Sequence, residues 1–229
     1  TAELTETHID LFFRTLTKYS NSTIVKVYRQ IRIAFRIAHD KGIIPKDFMQ
    51  SSNMKCPKSN KANKKVTALT KEEQKQFVEY LENYKAPKGR NEYTLQLLIS
   101  LYSGMRMGEV NALKPENIDF KAGIIKVRST VSRGEDDKSF IKDGTKTYAG
   151  IRDIPIMDNL KTVLKSALEK KSDNPYDLLF YDSVNNKIIP TSQVNSFFQR
   201  VCEKCNIKSH GQHALRHTFA TRCIEADVP

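Results

Sequence analysis

A mainly α protein with one small antiparallel β-sheet, an α+β fold spread over two domains, is what these 229 residues predict. Three features carry that expectation. Apolar residues recur at helical spacing through most of the chain, β-branched alternation is confined to residues 123–156, and an acid-free, lysine-rich stretch interrupts the helical pattern between them and the first helices.

The first helix falls over 5–18, where Ile9, Phe12, Phe13 and Leu16 sit at i, i+3, i+4 and i+7 on one apolar face. A second, over 22–41, carries Ile24, Val27, Tyr28, Ile31, Ala34, Phe35 and Ala38, with Ser22 as N-cap and Gly42 as stop. Its polar side offers Lys26, Arg29, Arg32 and Arg36, a face that is either solvated or laid along a phosphate backbone. From Phe48 to Lys71 no acidic residue occurs, while Lys55, Lys58, Lys61, Lys64 and Lys65 accumulate in "SSNMKCPKSNKANKK". Too polar and too poor in apolar residues to pack, residues 55–66 read as a linker between a helical domain at 1–54 and a larger one at 67–229. A basic linker suits a protein that closes around a nucleic acid, although flexible lysine tracts occur without that role.

The larger domain opens on "TKEE" at 70–73, a capping box, followed by Phe77, Tyr80, Leu81 and Tyr84 on one helical face. A second apolar helix, "YTLQLLISLYSG", runs to Gly104, and "EVNAL" to "PENIDF" reads as a short helix with a proline-marked exit. "GIIKVRSTV" at 123–131 and "SFIKDGTKTYAGIRDIPI" at 139–156 supply two or three antiparallel strands. Helical spacing then returns through Leu160, Val163, Leu164 and Ala167, and through Val194, Phe197, Phe198 and Val201.

Lys and Arg number 38 against 26 Asp and Glu, a formal net charge of +12, which makes a polyanion the leading expectation for a partner. No apolar run is long enough to span a membrane, so no membrane partner is expected. The opening "TAELTETHID" has no signal segment and no initiating Met, and is read as a shortened start. Cys56, Cys202, Cys205 and Cys223 are too few and too unevenly spaced for a disulfide framework, which points to a reducing cytoplasm.

Three short motifs hold the residues suited to chemistry. In "YSGMRMGEVNAL", Arg106 follows a helix end and Glu109 lies three residues on, close enough for a charged hydrogen bond that is either a surface salt bridge or part of a site. Lys146 in "GTKTYAGIR" sits at a turn between strand-like segments, from which a flexible ammonium can be delivered as a proton donor or point charge. In "HALRHT", His213 and Arg216 are three apart and share a helical face, while His217 is read as a buried, hydrogen-bonded structural histidine and Arg222 need not join them. The C-x-x-C of Cys202 and Cys205, with His210, His213 and His217 beyond it, invites a zinc site. Both cysteines fall on the apolar stripe of a helix, however, and the interval to the histidines is shorter than in a zinc finger, so they are read as core and no metal is expected.

Taken in order, "SGMRMGE", "GTKTYAGIRDIPI" and "HALRHT" resemble the motifs of the tyrosine recombinases, or phage-type integrases, and most of all those of integrases from bacterial conjugative transposons and temperate phages. The resemblance covers 67–229 with these motifs and, more loosely, 1–55 as a helical core-binding domain. It implies a C-shaped clamp around double-stranded DNA at recombination or attachment sites, a tetramer on two duplexes in the synaptic complex, and accessory DNA-bending or excision factors. A bacterial cytoplasmic, nucleoid-associated location follows from it. The implied chemistry is phosphoryl transfer without metal or other cofactor: a tyrosine attacks the DNA backbone, leaving a 3′-phosphotyrosyl link and a free 5′-hydroxyl. Arg106 and Arg216 would then hold the non-bridging oxygens, His213 assist proton movement, Lys146 protonate the leaving oxygen and Glu109 orient Arg106. Lys26, Arg29, Arg32, Arg36, Lys58, Lys61, Lys64 and Lys65 are the candidate DNA contacts.

One departure bears on activity. Family members continue beyond the H-x-L-R-H box to a nucleophilic tyrosine, whereas the nine tyrosines here are Tyr19, Tyr28, Tyr80, Tyr84, Tyr93, Tyr102, Tyr148, Tyr176 and Tyr181, all before Arg216. The expectation is a chain shortened at both ends that binds DNA without cleaving it. The alternative is a non-catalytic DNA-binding remnant that occupies a recombination site and regulates it.

Overall fold

The structure is a computed structural model; it describes all residues except 1–3, 52–53, 62–67, 88–91, 145–150, 209–210 and 228–229. The chain forms two compact units, Thr1–Lys65 and Val66–Pro229. Among the described residues there are eight α-helices and five short strands, an α+β architecture.

In the first unit, α1 (Glu6–Thr15) is capped by Thr5, and α2 (Asn21–Asp40) begins after Ser20, whose hydroxyl accepts from the Thr23 amide at 3.3 Å. Ser20 rather than Ser22 is the cap because it is the residue with extended backbone, which aims its side chain at the open amides. Gly42 ends the helical pattern with a left-handed φ of 68°. Ile9, Phe13, Leu16, Ile24, Met49 and Met54 form the core, with the Tyr28 ring tilted against Phe13 and Phe35 edge-on to Phe48. Phe12, expected on the same face, remains exposed, since so small a unit offers partners to only a narrow stripe of α1.

The described part of the lysine-rich stretch, residues 54–61, packs against the first unit, whereas the sequence predicts no packing there. Met54 is buried and Cys56 lies against the core, the Tyr28 hydroxyl donates to the Met54 carbonyl at 2.8 Å, the Ser59 amide donates to Asn21 Oδ1 at 2.8 Å, and the Asn60 amide to the Thr17 carbonyl at 2.8 Å. Polar residues dock here through backbone hydrogen bonds to α2 and the turn before it, a route that counting apolar residues misses.

The second unit is built around α4 (Thr94–Ser103), buried on almost every side against α5 (Met107–Asn111), α6 (Asp158–Glu169) and α8 (His213–Glu225). A helix so enclosed meets most of its polar side chains internally, although Gln96 Oε1 is buried without a partner. Gln96 donates to Asn111 at 3.0 Å, Asn111 in turn to the Ile189 carbonyl at 2.9 Å, and Ser100 to the Met105 carbonyl at 2.9 Å. Helix α3 (Lys71–Asn83) starts with the capping box Thr70–Glu73, and α7 (Thr191–Lys204) adds Val194, Phe197, Phe198, Val201 and Cys202 to the core.

Among the described residues two small antiparallel sheets stand where a single one is expected. β1 (Ile118–Asp119), β2 (Ile124–Val127) and β5 (Arg152–Pro155) form the first in the order β1-β2-β5, and β3 (Ser129–Arg133) pairs with β4 (Ser139–Asp143) in the second. The long β-branched run breaks at Arg128, whose guanidinium turns back to the Val127 and Arg152 carbonyls and to Asp153. In the first sheet Ile125 opposes Ile154 and Val127 opposes Arg152, so Ile125, Val127 and Ile154 enter the core. α5 lies on β3 at Gly108, where a Cβ would stand 2.6 Å from Thr130 Oγ1 and 2.8 Å from the Val131 carbonyl.

Helix α8 is fastened to the start of the unit through one residue. The buried Thr218 hydroxyl accepts from the Leu69 amide at 2.9 Å and donates to the Ala214 carbonyl at 2.7 Å, while Arg222 donates to the Leu69 carbonyl at 2.8 Å and to Gln74 at 2.9 Å. Thr218→Val keeps the shape and strands the Leu69 amide, so urea unfolding should show a loss of about 1–3 kcal/mol; a change within about 0.3 kcal/mol would contradict this fastening.

Candidate functional site

Helix α4 delivers the chain to the site. Gly104 follows it with a left-handed φ of 64°, a conformation glycine adopts freely, and a Cβ here would also run into the Phe219 ring. Arg106 then takes extended backbone at the N-cap of α5, so its side chain leaves at a boundary between elements and is half exposed. Glu109, three residues into the turn, reaches back. Its Oε2 accepts from the Arg106 amide at 2.9 Å and its Oε1 from the Arg106 guanidinium at 3.0 Å.

A second guanidinium grips the same carboxylate. Arg152, the first residue of β5, donates from Nη1 to Oε1 at 3.1 Å and from Nη2 to Oε2 at 2.7 Å, while Glu109 itself is only 3% exposed. Burial acts to raise the pKa of the Glu109 carboxyl, but the hydrogen bonds and charge of Arg152, with those of Arg106, outweigh it and hold the group below its ordinary value. The sequence reading gives Arg152 no place in the site. A signal was present: Arg152 stands two residues before Ile154, so strand alternation puts it on the core-facing side, where an arginine needs an acidic partner.

The third guanidinium comes from α8. Arg216 is partly buried and donates from Nη1 to the Gly104 carbonyl. Loss of solvent lowers its pKa most, the charges of Arg106 and Arg152 lower it further, and Glu109 opposes them. The structure therefore brings Arg106, Glu109 and Arg216 together as their spacing and motifs suggest, and adds Arg152. Three guanidiniums against one carboxylate leave positive charge uncompensated beside an open face, a centre suited to an anion with several oxygen acceptors.

His213 is the exposed first residue of α8, on the face it shares with Arg216. His217, expected to be buried, is also exposed: it follows His213 by one helical turn, on the outer side of a helix that buries Ala214, Leu215 and Thr218. Arg222 serves Leu69 and Gln74, away from this cluster. Lys146 lies outside the described residues, as do Lys64 and Lys65. Lys26, Arg29, Arg32 and Arg36 are all exposed along α2, and Lys58 and Lys61 are exposed on the segment docked against it. Cys202 is a fully buried core residue whose thiol, by burial first and the nearby Cys205, Glu73 and Glu203 second, is pushed up to about 12.

An α+β unit that presents an arginine cluster at the junction of a helix end, a strand and a final helix defines a particular class of domain. Residues 67–229 match the model of the phage integrase family, and the chain belongs to that family. It is 28% identical over 211 residues to tyrosine recombinase XerA of Thermococcus kodakarensis, covering 92% of this chain and 64% of that protein. It is 25% identical over 225 residues to the transposase from transposon Tn916 of Enterococcus faecalis, covering 92% and 53%. In fold it is similar to the Tn1549 transposon integrase in complex with a circular intermediate DNA, with a TM-score of 0.80 and 20% identity over 99% of this chain and 75% of that one. A lambda integrase dimer bound to a COC′ core site aligns with a TM-score of 0.64 at 14% identity, over 98% and 58%. The chain spans less than two thirds of the length of the relatives it matches in sequence.

The depressed carboxyl of Glu109 ties stability to pH. Its folded pKa lies below the unfolded value near 4.5, so its contribution is complete above that pH and is lost as the pH falls toward the folded value. The stability difference between the natural chain and Glu109→Gln should hold steady from neutral pH down to the ordinary glutamate range and shrink below it, measured as urea midpoints. A difference independent of pH would mean that the carboxylate is not held as described.

Proposed function

We propose that this chain is the DNA-binding and strand-exchange region of a site-specific recombinase, a phage-type integrase that moves a mobile element into and out of double-stranded DNA. The observation that carries this function is the convergence of Arg106 and Arg216 beside a half-open surface, in a chain that belongs to the phage integrase family. A phosphodiester offers two non-bridging oxygens, and two fixed guanidiniums match them while adding charge where the transition state gathers it.

In this mechanism a tyrosine oxygen attacks phosphorus, the bond to the 5′-oxygen breaks, and a 3′-phosphotyrosyl link forms. His213, one turn from Arg216, receives or relays the proton of the nucleophile, and Lys146 gives a proton to the departing 5′-oxygen. Glu109 keeps Arg106 aimed at the phosphate. The attack of the free 5′-hydroxyl on a partner link reverses these steps and rejoins the strand. No tyrosine follows Arg216 within these residues, and residues 1–229 alone are expected to bind DNA without cutting it.

The domain division at 1–54, 55–66 and 67–229 serves the same function, with the helical domain and the larger one each offering a basic surface to the duplex. The exposed Lys26, Arg29, Arg32 and Arg36 of α2, with the lysines of the basic stretch, lie along its phosphates. Synapsis of two such duplexes requires four copies, with accessory bending or excision factors setting direction.

A suicide DNA substrate carrying the element's crossover site tests the chemistry. The natural protein, extended through its nucleophilic tyrosine, should become covalently linked to DNA in the presence of EDTA. Arg106→Ala or Arg216→Ala should lower the rate of linkage by roughly 10²- to 10³-fold while retaining most binding. Binding should weaken steeply with salt as phosphate contacts release counterions. Binding without any adduct from the unsubstituted protein would favour the regulatory remnant instead.

A further inference from the structure

We infer that Arg152 is a positioning residue for the strand-cleavage reaction, holding the Glu109 carboxylate in the one orientation from which it aims Arg106 at the scissile phosphate. This rests on the function proposed above.

The geometry argues for it step by step. Glu109 has two oxygens, and each is shared: Oε1 takes Arg106 Nη1 and Arg152 Nη1, and Oε2 takes the Arg106 amide and Arg152 Nη2. Arg152 therefore approaches as a planar fork with both Nη groups engaged, whereas the guanidinium of Arg106 spends a single Nη1 bond on the carboxylate. A fork fixes the carboxylate plane, and a single bond does not. The Arg106 side chain is 55% exposed, while that of Arg152 is 25% exposed. The division of labour follows: Arg152 faces the core and orients, Arg106 faces solvent and binds.

Arg152 is itself held. It opens β5, opposite Val127 in the antiparallel register, and its carbonyl accepts from the Arg128 guanidinium at 3.1 Å. The side chain that aims Arg106 is thereby tied to the sheet, 43 residues further along the chain than Glu109. Its charge also reaches Arg216, whose pKa it helps to lower.

Replacing Arg152 should act on the rate of cleavage and leave DNA affinity nearly unchanged. In the natural protein, with the suicide substrate, Arg152→Met should slow adduct formation by ~100-fold, the scale of a small misplacement at a reacting centre, with DNA binding within about 3-fold. Arg152→Lys, which restores the charge and part of the hydrogen bonding, should recover a portion of the rate. The acid limb of the rate profile gives a readout that a purely structural role would not move. Without Arg152 the Glu109 carboxyl protonates more easily, so cleavage by Arg152→Met should fall away at a higher pH than in the natural protein. Because a lone buried carboxylate threatens folding, the pair Glu109→Gln with Arg152→Met is the second probe, and it should cleave no more slowly than Glu109→Gln alone. Cleavage by Arg152→Met at the natural rate, an unmoved acid limb, or a double variant slower by the full product of the two single losses would each overturn the inference while leaving the recombinase function intact. Failure of the unsubstituted protein to form any adduct would instead overturn that function, and this inference with it.

Discussion

A carboxylate on a residue only 3% exposed has to be matched by donors or it does not stay ionised, and that constraint at Glu109 organises the larger unit of this protein. Three donor groups meet it: the Arg106 amide, the Arg106 guanidinium and the fork of Arg152. The first two set how the chain turns from α4 into α5. The third requires β5 to pass within reach of that turn, which couples the three-stranded sheet to the helical core at a defined point. Breaking such a buried pair from one side costs far more than the pair contributes over an apolar substitute, so its value lies in fixing geometry rather than in net stability.

The same turn also receives α8. Gly104, free to take a left-handed conformation, presents its carbonyl to Arg216 and leaves the space that the Phe219 ring occupies. Further along, Thr218 and Arg222 bind the amide and carbonyl of Leu69, so α8 is secured at two places one turn apart. Arg106 and Arg216 thus stand on elements that cannot shift separately. Donors held in place before a ligand arrives need little reorganisation when charge develops, and this is where preorganised electrostatics gains its advantage over water.

What the sequence revealed and what it hid divide along a physical line. Signals that act within one turn were legible: the Thr70–Glu73 capping box, the Arg106–Glu109 pair at i, i+3, and the His213–Arg216 face. The stripe of Cys202 was legible too, because helical spacing placed it in the core. Signals that depend on register or on distant partners were not. Arg152 reaches Glu109 only once β5 is aligned with β2, β1 is two residues long and carries no periodicity of its own, and the basic stretch docks through Tyr28 and Asn21, far back in the chain. His217 failed for a related reason: chemical type suggested a structural role, while its position one turn after the exposed His213 decided its exposure.

Charge balance at the site carries one more consequence. Glu109 offsets one of three guanidiniums, and the remaining repulsion is visible in Arg216, whose pKa is lowered by lost solvent and by the charges of Arg106 and Arg152. Arginine stays protonated under such pressure where a lysine would yield, so the repulsion persists as unfavourable energy in the unliganded protein. An anion seated between Arg106 and Arg216 relieves it. The cluster as it stands therefore favours a group that carries negative charge on several oxygens over a neutral one.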